Sequence, residues 1–125
     1  MPLLNDGRDH ISGALIGESP TPFDEANAHI GVGDSDAAFS AEQSDLVGIN
    51  TARQGMDSGY PSRDGNELTF RATFGTEDAN FDWEEWGIAN DPSAGTMLNR
   101  AVESLGTKPD TQSWQFTTTL TVNNP

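Results

Sequence analysis

The stretch ELTFRATFGTEDANFDWEEWGIAN, residues 67–90, decides the fold that this sequence predicts. Its first half alternates with a period of two, which is the pattern of a half-buried β-strand. One face carries Leu68, Phe70, Ala72 and Phe74, and the other carries Thr69, Arg71 and Thr73. Gly75 interrupts the alternation, and Phe81 and Trp83 resume it after a polar turn. We therefore predict that residues 67–90 form the central hairpin of a β domain, on which the rest of the chain packs.

Length and composition limit the class of protein. The 125 residues fit one domain, and a chain of this size buries enough surface for one core. We assign residues 1–18 to an N-terminal arm or short helix and residues 19–125 to a single β domain. The absence of cysteine excludes disulfides and thiolate metal sites. We expect no membrane span and no secretion signal, because the apolar runs are short and the N-terminus lacks the signal pattern.

Charge is the strongest compositional signal. The chain has 20 acidic residues against 6 basic ones, a net charge of -14, and Lys108 is its only lysine. Nucleic acid and anionic membranes are therefore not expected as partners, because binding them requires lysine and arginine. An acidic surface keeps a protein soluble and suppresses association. A more specific interpretation is adaptation to high salt, since molar salt screens the repulsion among carboxylates.

The N-terminal segment allows two interpretations. Ile11, Leu15 and Ile16 lie at i, i+4 and i+5, a spacing that places them on one stripe of a helix over residues 7–16. Asn5 or Asp6 would be the N-cap of that helix. Gly13 and Gly17 weaken the helical interpretation, and the alternative is an extended arm with two or three apolar anchors. In both cases the segment is too short to fold alone, so it must pack on its own domain or on a neighbouring subunit.

The rest of the chain predicts further strands joined by turns. Residues 27–33 and 112–122 read as strands, and the second has an outer face of threonine and glutamine that suits a solvated or subunit-paired sheet. Residues 34–45 and 48–64 read as loops. Residues 97–102 fit a helix or a strand, and we favour the strand. The pattern predicts a mostly β fold, an antiparallel β-sandwich or barrel with a short N-terminal helix or arm.

The apolar pattern assigns two groups of residues. The predicted core consists of Phe70, Phe74, Phe81, Trp83, Trp114, Phe116 and Leu120. The predicted oligomer or docking contacts consist of Leu3, Leu4, Ile11, Leu15 and Trp86. Aromatic residues on apolar strand faces are typical of cores, and Trp86 is the tryptophan that we expect to be exposed or in subunit contact.

Two acidic residues between tryptophans raise the question of catalysis. Glu84 and Glu85 with flanking aromatic rings suggest a glycosidase, in which two carboxylates face one sugar. Adjacent residues in a strand point to opposite faces, however, so this pair cannot share a cleft. We expect one glutamate to face solvent. We expect the other to be half-buried, accepting backbone amides or pairing with Arg71 or Arg100.

The remaining candidate ligands do not form a recognisable site. His10 and His29 have no accompanying nucleophile or metal motif, so we interpret them as structural. Asp34 and Asp36 in GDSD resemble a cation loop, but Ala38 stands where the third ligand is needed. We therefore expect no enzymatic activity, no cofactor and no metal site.

The order of several motifs resembles a known class of proteins. HIGVGDS, LTFRATF, NFDWEEWGI, MLNR and GTK precede a terminal alternating strand. This order resembles small virion structural proteins of tailed viruses. It is also similar to the tail-collar domains of phage tail fibres, whose glycine-rich turn and glutamate-glycine-aliphatic motif match residues 31–33 and 85–88. Trp86, inserted between Glu85 and Gly87, departs from the second motif.

The resemblance implies a structural role in a virion. It implies a symmetric homo-oligomer on the capsid surface or vertex, a decoration or turret protein in contact with other virion proteins. The alternative within that role is a tail adaptor or fibre-attachment protein at the baseplate. With the acidic composition, the resemblance implies a virus of a halophilic archaeon. A host-glycan-binding module is an alternative of another class, in which Trp83, Trp86, Trp114 or Tyr60 would contact the host surface by stacking on sugars.

Overall fold

The computed structural model of the protein describes residues 2–123. The chain is mostly β, with 39% strand and 9% helix, and its two antiparallel sheets pack together. The predicted β-sandwich is therefore confirmed, and the alternative of a closed barrel is wrong. The elements are α1 (Asn5–Leu15), β1 (His29–Gly33), β2 (Thr51–Gly55), β3 (Ser62–Asp64), β4 (Glu67–Phe74), β5 (Asp82–Ala89), β6 (Ala101–Thr107) and β7 (Trp114–Thr121).

The strands β4 and β5 lie in different sheets. One sheet has the order β2-β1-β5-β6, and the other has the order β3-β4-β7. The predicted hairpin is therefore wrong, although both of its strands exist. The connecting residues 75–81 contain a turn in which Asp78 accepts the Gly75 N–H at 3.0 Å, and they carry the chain from one sheet to the other. The two strands meet through side chains instead, with the rings of Phe74 and Trp83 4.8 Å apart.

The core lies between the two sheets. The predicted core residues that are at most 2% exposed are Phe70, Phe74 and Trp83. Those that are partly buried against the core are Phe81, Trp114, Phe116 and Leu120. Trp86 is 7% exposed and its ring lies 5.1 Å from that of Phe116, so the structure places it in the core instead of on a contact surface. The register of β5 with β6 shifts between Trp83 and Glu85, which interrupts the alternation and lets both indoles reach the core.

The N-terminal segment forms α1, so the alternative of an extended arm is wrong. Leu4 occupies the N-cap position in place of the predicted Asn5 or Asp6, and no side chain caps the helix. The Leu4 N–H donates to the Leu98 carbonyl at 3.1 Å, and the Leu4 side chain is fully buried. Burial of Leu4 thus fixes where the helix begins, and this part of the segment packs on its own domain.

A second apolar cluster covers the outer face of the four-stranded sheet. Leu4, Ala89 and Met97 are buried there, and Leu46 packs against them. Gly87 lies under this cover, where a Cβ atom would collide with the Asn99 carbonyl and the Met97 sulfur. The four-stranded sheet is therefore buried on both faces near β5, which explains why this strand is buried almost throughout.

Three segments differ from the sequence expectation. Strands β2 and β3 lie in residues 48–64. We predicted a loop there because neither segment has alternating apolar residues. Residues 97–100 contribute isolated bridges, Ala89 to Met97 and Leu3 to Asn99, before β6 begins. The helical alternative there is wrong. Among residues 2–123, no helix is long and apolar enough to cross a membrane.

Candidate functional site

Helix α1 presents its large aliphatic side chains to solvent. The two residues that it buries are glycines, Gly7 and Gly13, and a Cβ atom on Gly7 would collide with the backbone of Leu98. Ile11 and Leu15, four residues apart, share a side of the helix and are 37% and 82% exposed. Ile16, just past the helix end, is 77% exposed. We call Ile11, Leu15 and Ile16 the α1 patch.

The predicted docking residues divide between this patch and the interior. Ile11 and Leu15 belong to the α1 patch. Leu4 is fully buried in its own chain and Leu3 is half-buried against the core, so neither is available in the way the sequence predicted. Trp86 is also buried. Ile16, which the sequence placed on the same helical stripe, was not among the predicted contacts.

The strand β7 forms an exposed sheet edge without charge. In the described chain it pairs only with β4, and it is the longest of the four edge strands. The other edges each contain charged residues: Arg53 in β2, Arg63 and Asp64 in β3, and Glu103 in β6. From Thr111 to Pro125 the sequence has none. Sequence reasoning recognised the polar face of this strand but missed the absence of charge, which was visible in an otherwise acidic chain.

The free hydrogen-bonding groups of β7 can be assigned from its pairing with β4. The Val122 N–H donates to the Asn66 carbonyl at 2.9 Å, toward β4. Backbone groups alternate in direction along a strand, so Thr117 and Thr119 direct their N–H and C=O groups away from β4. Their side chains are exposed on the outer face of the three-stranded sheet. We call the free side of β7 the β7 edge.

A buried ion pair holds the irregular loop of residues 34–50 on the four-stranded sheet. Glu85 Oε1 lies 2.8 Å from Arg100 Nε, and both side chains are 0% exposed. Glu85 also accepts the amides of Val47 and Gly48 at 2.8 and 2.7 Å. One glutamate of the Glu84–Glu85 pair therefore accepts amides and pairs with Arg100, as one alternative predicted, although it is fully buried and not half-buried.

Arg100 completes the attachment of this loop. Its Nη1 atom donates to the Ala37 carbonyl at 3.0 Å and to Gln43 Oε1 at 3.2 Å. Because each charge has several partners, the pair satisfies the condition under which buried ions are tolerated. Glu84, in contrast, is only partly buried and accepts from the Ser104 hydroxyl at 3.2 Å. The two glutamates do not face a common cleft, so the geometry matches a structural clamp.

Asp34, the first aspartate of the GDSD motif, forms hydrogen bonds within the loop of residues 34–50. Asp34 accepts the N–H and the side-chain amide of Asn50 at 3.1 and 2.8 Å. These hydrogen bonds, the side-chain one first, hold the pKa of Asp34 below its ordinary value. In the part of the chain that the structure describes, no three His, Cys, Asp or Glu residues are grouped to hold a metal. His10 and His29 bond to backbone oxygens of Thr21 and Asn27.

The comparisons with known proteins add no relative. The chain matches no family model, no curated protein and no solved structure. The function is therefore inferred from the surfaces of the molecule, of which the α1 patch and the β7 edge are the candidates for contact.

Proposed function

We propose that this protein is a structural component of a tailed-virus virion, which assembles as a symmetric oligomer on the capsid surface or vertex. The observation that carries the proposal is the α1 patch, where a helix buries glycines and exposes aliphatic side chains. Complete burial of an aliphatic side chain contributes roughly 1.5–3 kcal/mol. Leu15 and Ile16, which are 82% and 77% exposed, would contribute most of that amount only in contact with a neighbour.

The virion setting rests on the resemblance of the motif order and on charge. A net charge of -14 opposes contact between copies at low ionic strength, whereas molar salt reduces the Debye length to about 3 Å. The molar salt of a halophilic host would therefore weaken the repulsion between copies and favour their assembly. A tail adaptor at the baseplate would use the same surface, so it remains the alternative position within the particle.

Host-glycan binding has less support from the aromatic residues. Trp83 and Trp86 are 2% and 7% exposed, and stacking on a sugar requires an open ring face. Tyr60 is partly exposed, but the Arg71 guanidinium lies 4.2 Å from its ring centre and covers one face. Asp57 fixes that guanidinium with an ion pair of 3.0 Å. One face of the Tyr60 ring is therefore occupied by a contact within the domain.

The test is the solution mass of a Leu15→Ser, Ile16→Ser double variant. Light scattering at molar salt should show an oligomer for the wild type and a smaller species for the variant. The matched control is Ile49→Ser, because Ile49 is 98% exposed but lies in the loop of residues 34–50. Both changes should leave the melting temperature nearly unaltered. A wild-type monomer at molar salt, or an oligomer indifferent to the double variant, would refute the proposal.

A further inference from the structure

We infer that the β7 edge is a self-recognition site, at which β7 of one copy pairs antiparallel with β7 of a second copy across a two-fold axis. This contact would join two three-stranded sheets into one continuous sheet. It uses a surface separate from the α1 patch, so it goes beyond the proposed function. An unpaired strand edge offers a row of donors and acceptors to any chain that can approach it.

Charge identifies the occupant as a second copy. Each copy has a net charge of -14, so a contact between copies is favoured where like charges do not meet. No residue of β7 is charged, and Asp57, whose carboxylate lies 3.4 Å from Gln115 Nε2, is paired with Arg71. Pairing through β6 would instead bring Glu103 of one copy toward its equivalent. A basic partner, in contrast, would gain from carboxylates along the edge, and β7 has none. An uncharged, self-complementary backbone edge thus fits another copy of itself.

Native sheets protect their edges with charge, proline or short length, and β7 has none of these devices. It has 8 residues, against 5 in β2 and 3 in β3, and its sequence WQFTTTLT contains no proline. Such an edge invites pairing with an equivalent strand. The other exposed edges, β2, β3 and β6, are shorter and contain charged residues. This contrast indicates that β7 is available for pairing with another strand.

The direction of the free groups restricts the register of the pair. Odd-numbered residues of β7 carry the free N–H and C=O groups. We call the line along which the two β7 strands meet the seam. Hydrogen-bonded pairs across the seam therefore join odd residues to odd residues. Two centred registers satisfy this rule. In the first, Thr117 faces Thr117 of the second copy. In the second, Thr117 faces Thr119, and the two-fold axis passes at Thr118.

Threonine pairs at this seam would repeat a contact already present within the chain. Thr69 of β4 lies opposite Thr119 of β7, and their hydroxyl oxygens are 3.5 Å apart. In either register the outer face at the seam brings threonine side chains of both copies together. Such cross-strand pairs contribute to sheet stability, and a hydroxyl is both donor and acceptor, so two identical residues are complementary.

The absence of cysteine from the sequence allows a direct test by single-cysteine cross-linking. Directly opposed, hydrogen-bonded residues have Cα atoms about 5.5 Å apart, which permits a disulfide. At molar salt under mild oxidation, either Thr117→Cys alone or an equimolar mixture of Thr117→Cys and Thr119→Cys should give a covalent dimer. The control is Thr69→Cys, on the same sheet face but in the central strand. Cross-linking of both β7 samples no faster than the control would overturn the inference.

A proline substitution tests the β7 edge without a cross-linking reaction. The Thr119 N–H points away from β4, so Thr119→Pro removes a donor of the β7 edge and leaves the backbone hydrogen bonds to β4 in place. In the Leu15→Ser, Ile16→Ser background, which removes the two most exposed side chains of the α1 patch, we expect a dimer of twice 13.4 kDa before the change and 13.4 kDa after it. A dimer that persists in Thr119→Pro would contradict pairing through β7. If this variant fails to fold, the cysteine experiment decides alone. Because the background removes the α1 contact, failure here is separate from failure of the proposed function.

Discussion

Replacing Glu85 with glutamine tests whether the buried ion pair holds the domain together. Glu85 and Arg100 are both 0% exposed and lie 2.8 Å apart. Removing one member of a buried pair leaves an uncompensated charge, which costs about 3–5 kcal/mol. The amides of Val47 and Gly48 also lose a charged acceptor. We therefore expect Glu85→Gln to lower the free energy of unfolding by about 3–5 kcal/mol.

Urea denaturation measures this loss directly from the midpoint and slope of the transition. For a domain of this size a loss of 3–5 kcal/mol lowers the melting temperature by roughly 10–25 °C. Asp45→Asn is the matched control, because Asp45 pairs with Arg53 but its side chain is 58% exposed. Such exposed pairs contribute about 0–1 kcal/mol. A loss in Glu85→Gln no larger than that in Asp45→Asn would refute the reasoning.

A second substitution separates the charge of Arg100 from its contacts. Adding Arg100→Met to Glu85→Gln removes the uncompensated guanidinium, and the double variant should be more stable than Glu85→Gln alone. Its hydrogen bonds to the loop are lost in the same step. If the double variant is instead less stable than Glu85→Gln, losing the Arg100 hydrogen bonds to residues 34–50 costs more than leaving the guanidinium uncompensated.

Stability should also respond to core truncation, pH and salt. Trp83→Ala should cost about 3–5 kcal/mol in urea unfolding and Trp114→Ala less, because Trp114 is only partly buried; equal losses would contradict this packing. The lowered pKa of Asp34 means that its charged form stabilises the fold above pH 3.8, and this contribution disappears as pH falls through the folded-state pKa. The stability difference between wild type and Asp34→Asn should therefore shrink in acid, and a constant difference would exclude this linkage. Raising salt from millimolar to molar should increase the free energy of unfolding, since the net charge is -14; an unchanged urea midpoint would show that repulsion is unimportant.

The sequence indicated which residues form a strand and which face of that strand is buried better than it indicated which strands pair with each other. Alternation in β4 correctly indicated that Phe70, Ala72 and Phe74 point inward, because that pattern depends only on the local chain. The pairing of β4 with β3 and β7 depends on the whole topology, which periodicity does not encode. A short polar connection between two strands usually indicates a hairpin, and here residues 75–81 cross between sheets instead. The short strands β2 and β3 were missed because they have no alternating apolar pattern.

The candidate surfaces were only partly predictable for a related reason. Ile11 and Leu15 were assigned to docking from helical spacing, and the structure leaves them exposed. Leu4 has the same apolar character, but whether it faces a neighbour or its own domain depends on Ala89 and Met97, which are far away in sequence. The displacement of Trp86 into the core likewise follows from a register shift between β5 and β6. These outcomes depend on tertiary contacts that one segment cannot reveal.

The distribution of charge determines where two copies of this chain can meet. At an ionic strength of 0.1 M the Debye length is about 10 Å, so repulsion between acidic copies opposes approach over most of the surface. The β7 edge contains no charged residue, so approach there is opposed less. The α1 patch has apolar side chains whose burial would favour a contact. A two-fold contact at β7 closes on itself and stops at a dimer. Growth to a larger symmetric assembly would then require a second contact, which we propose that the α1 patch supplies on a different element. Loss of the α1 patch should therefore leave dimers, whereas loss of the β7 edge should leave only the contacts that α1 makes.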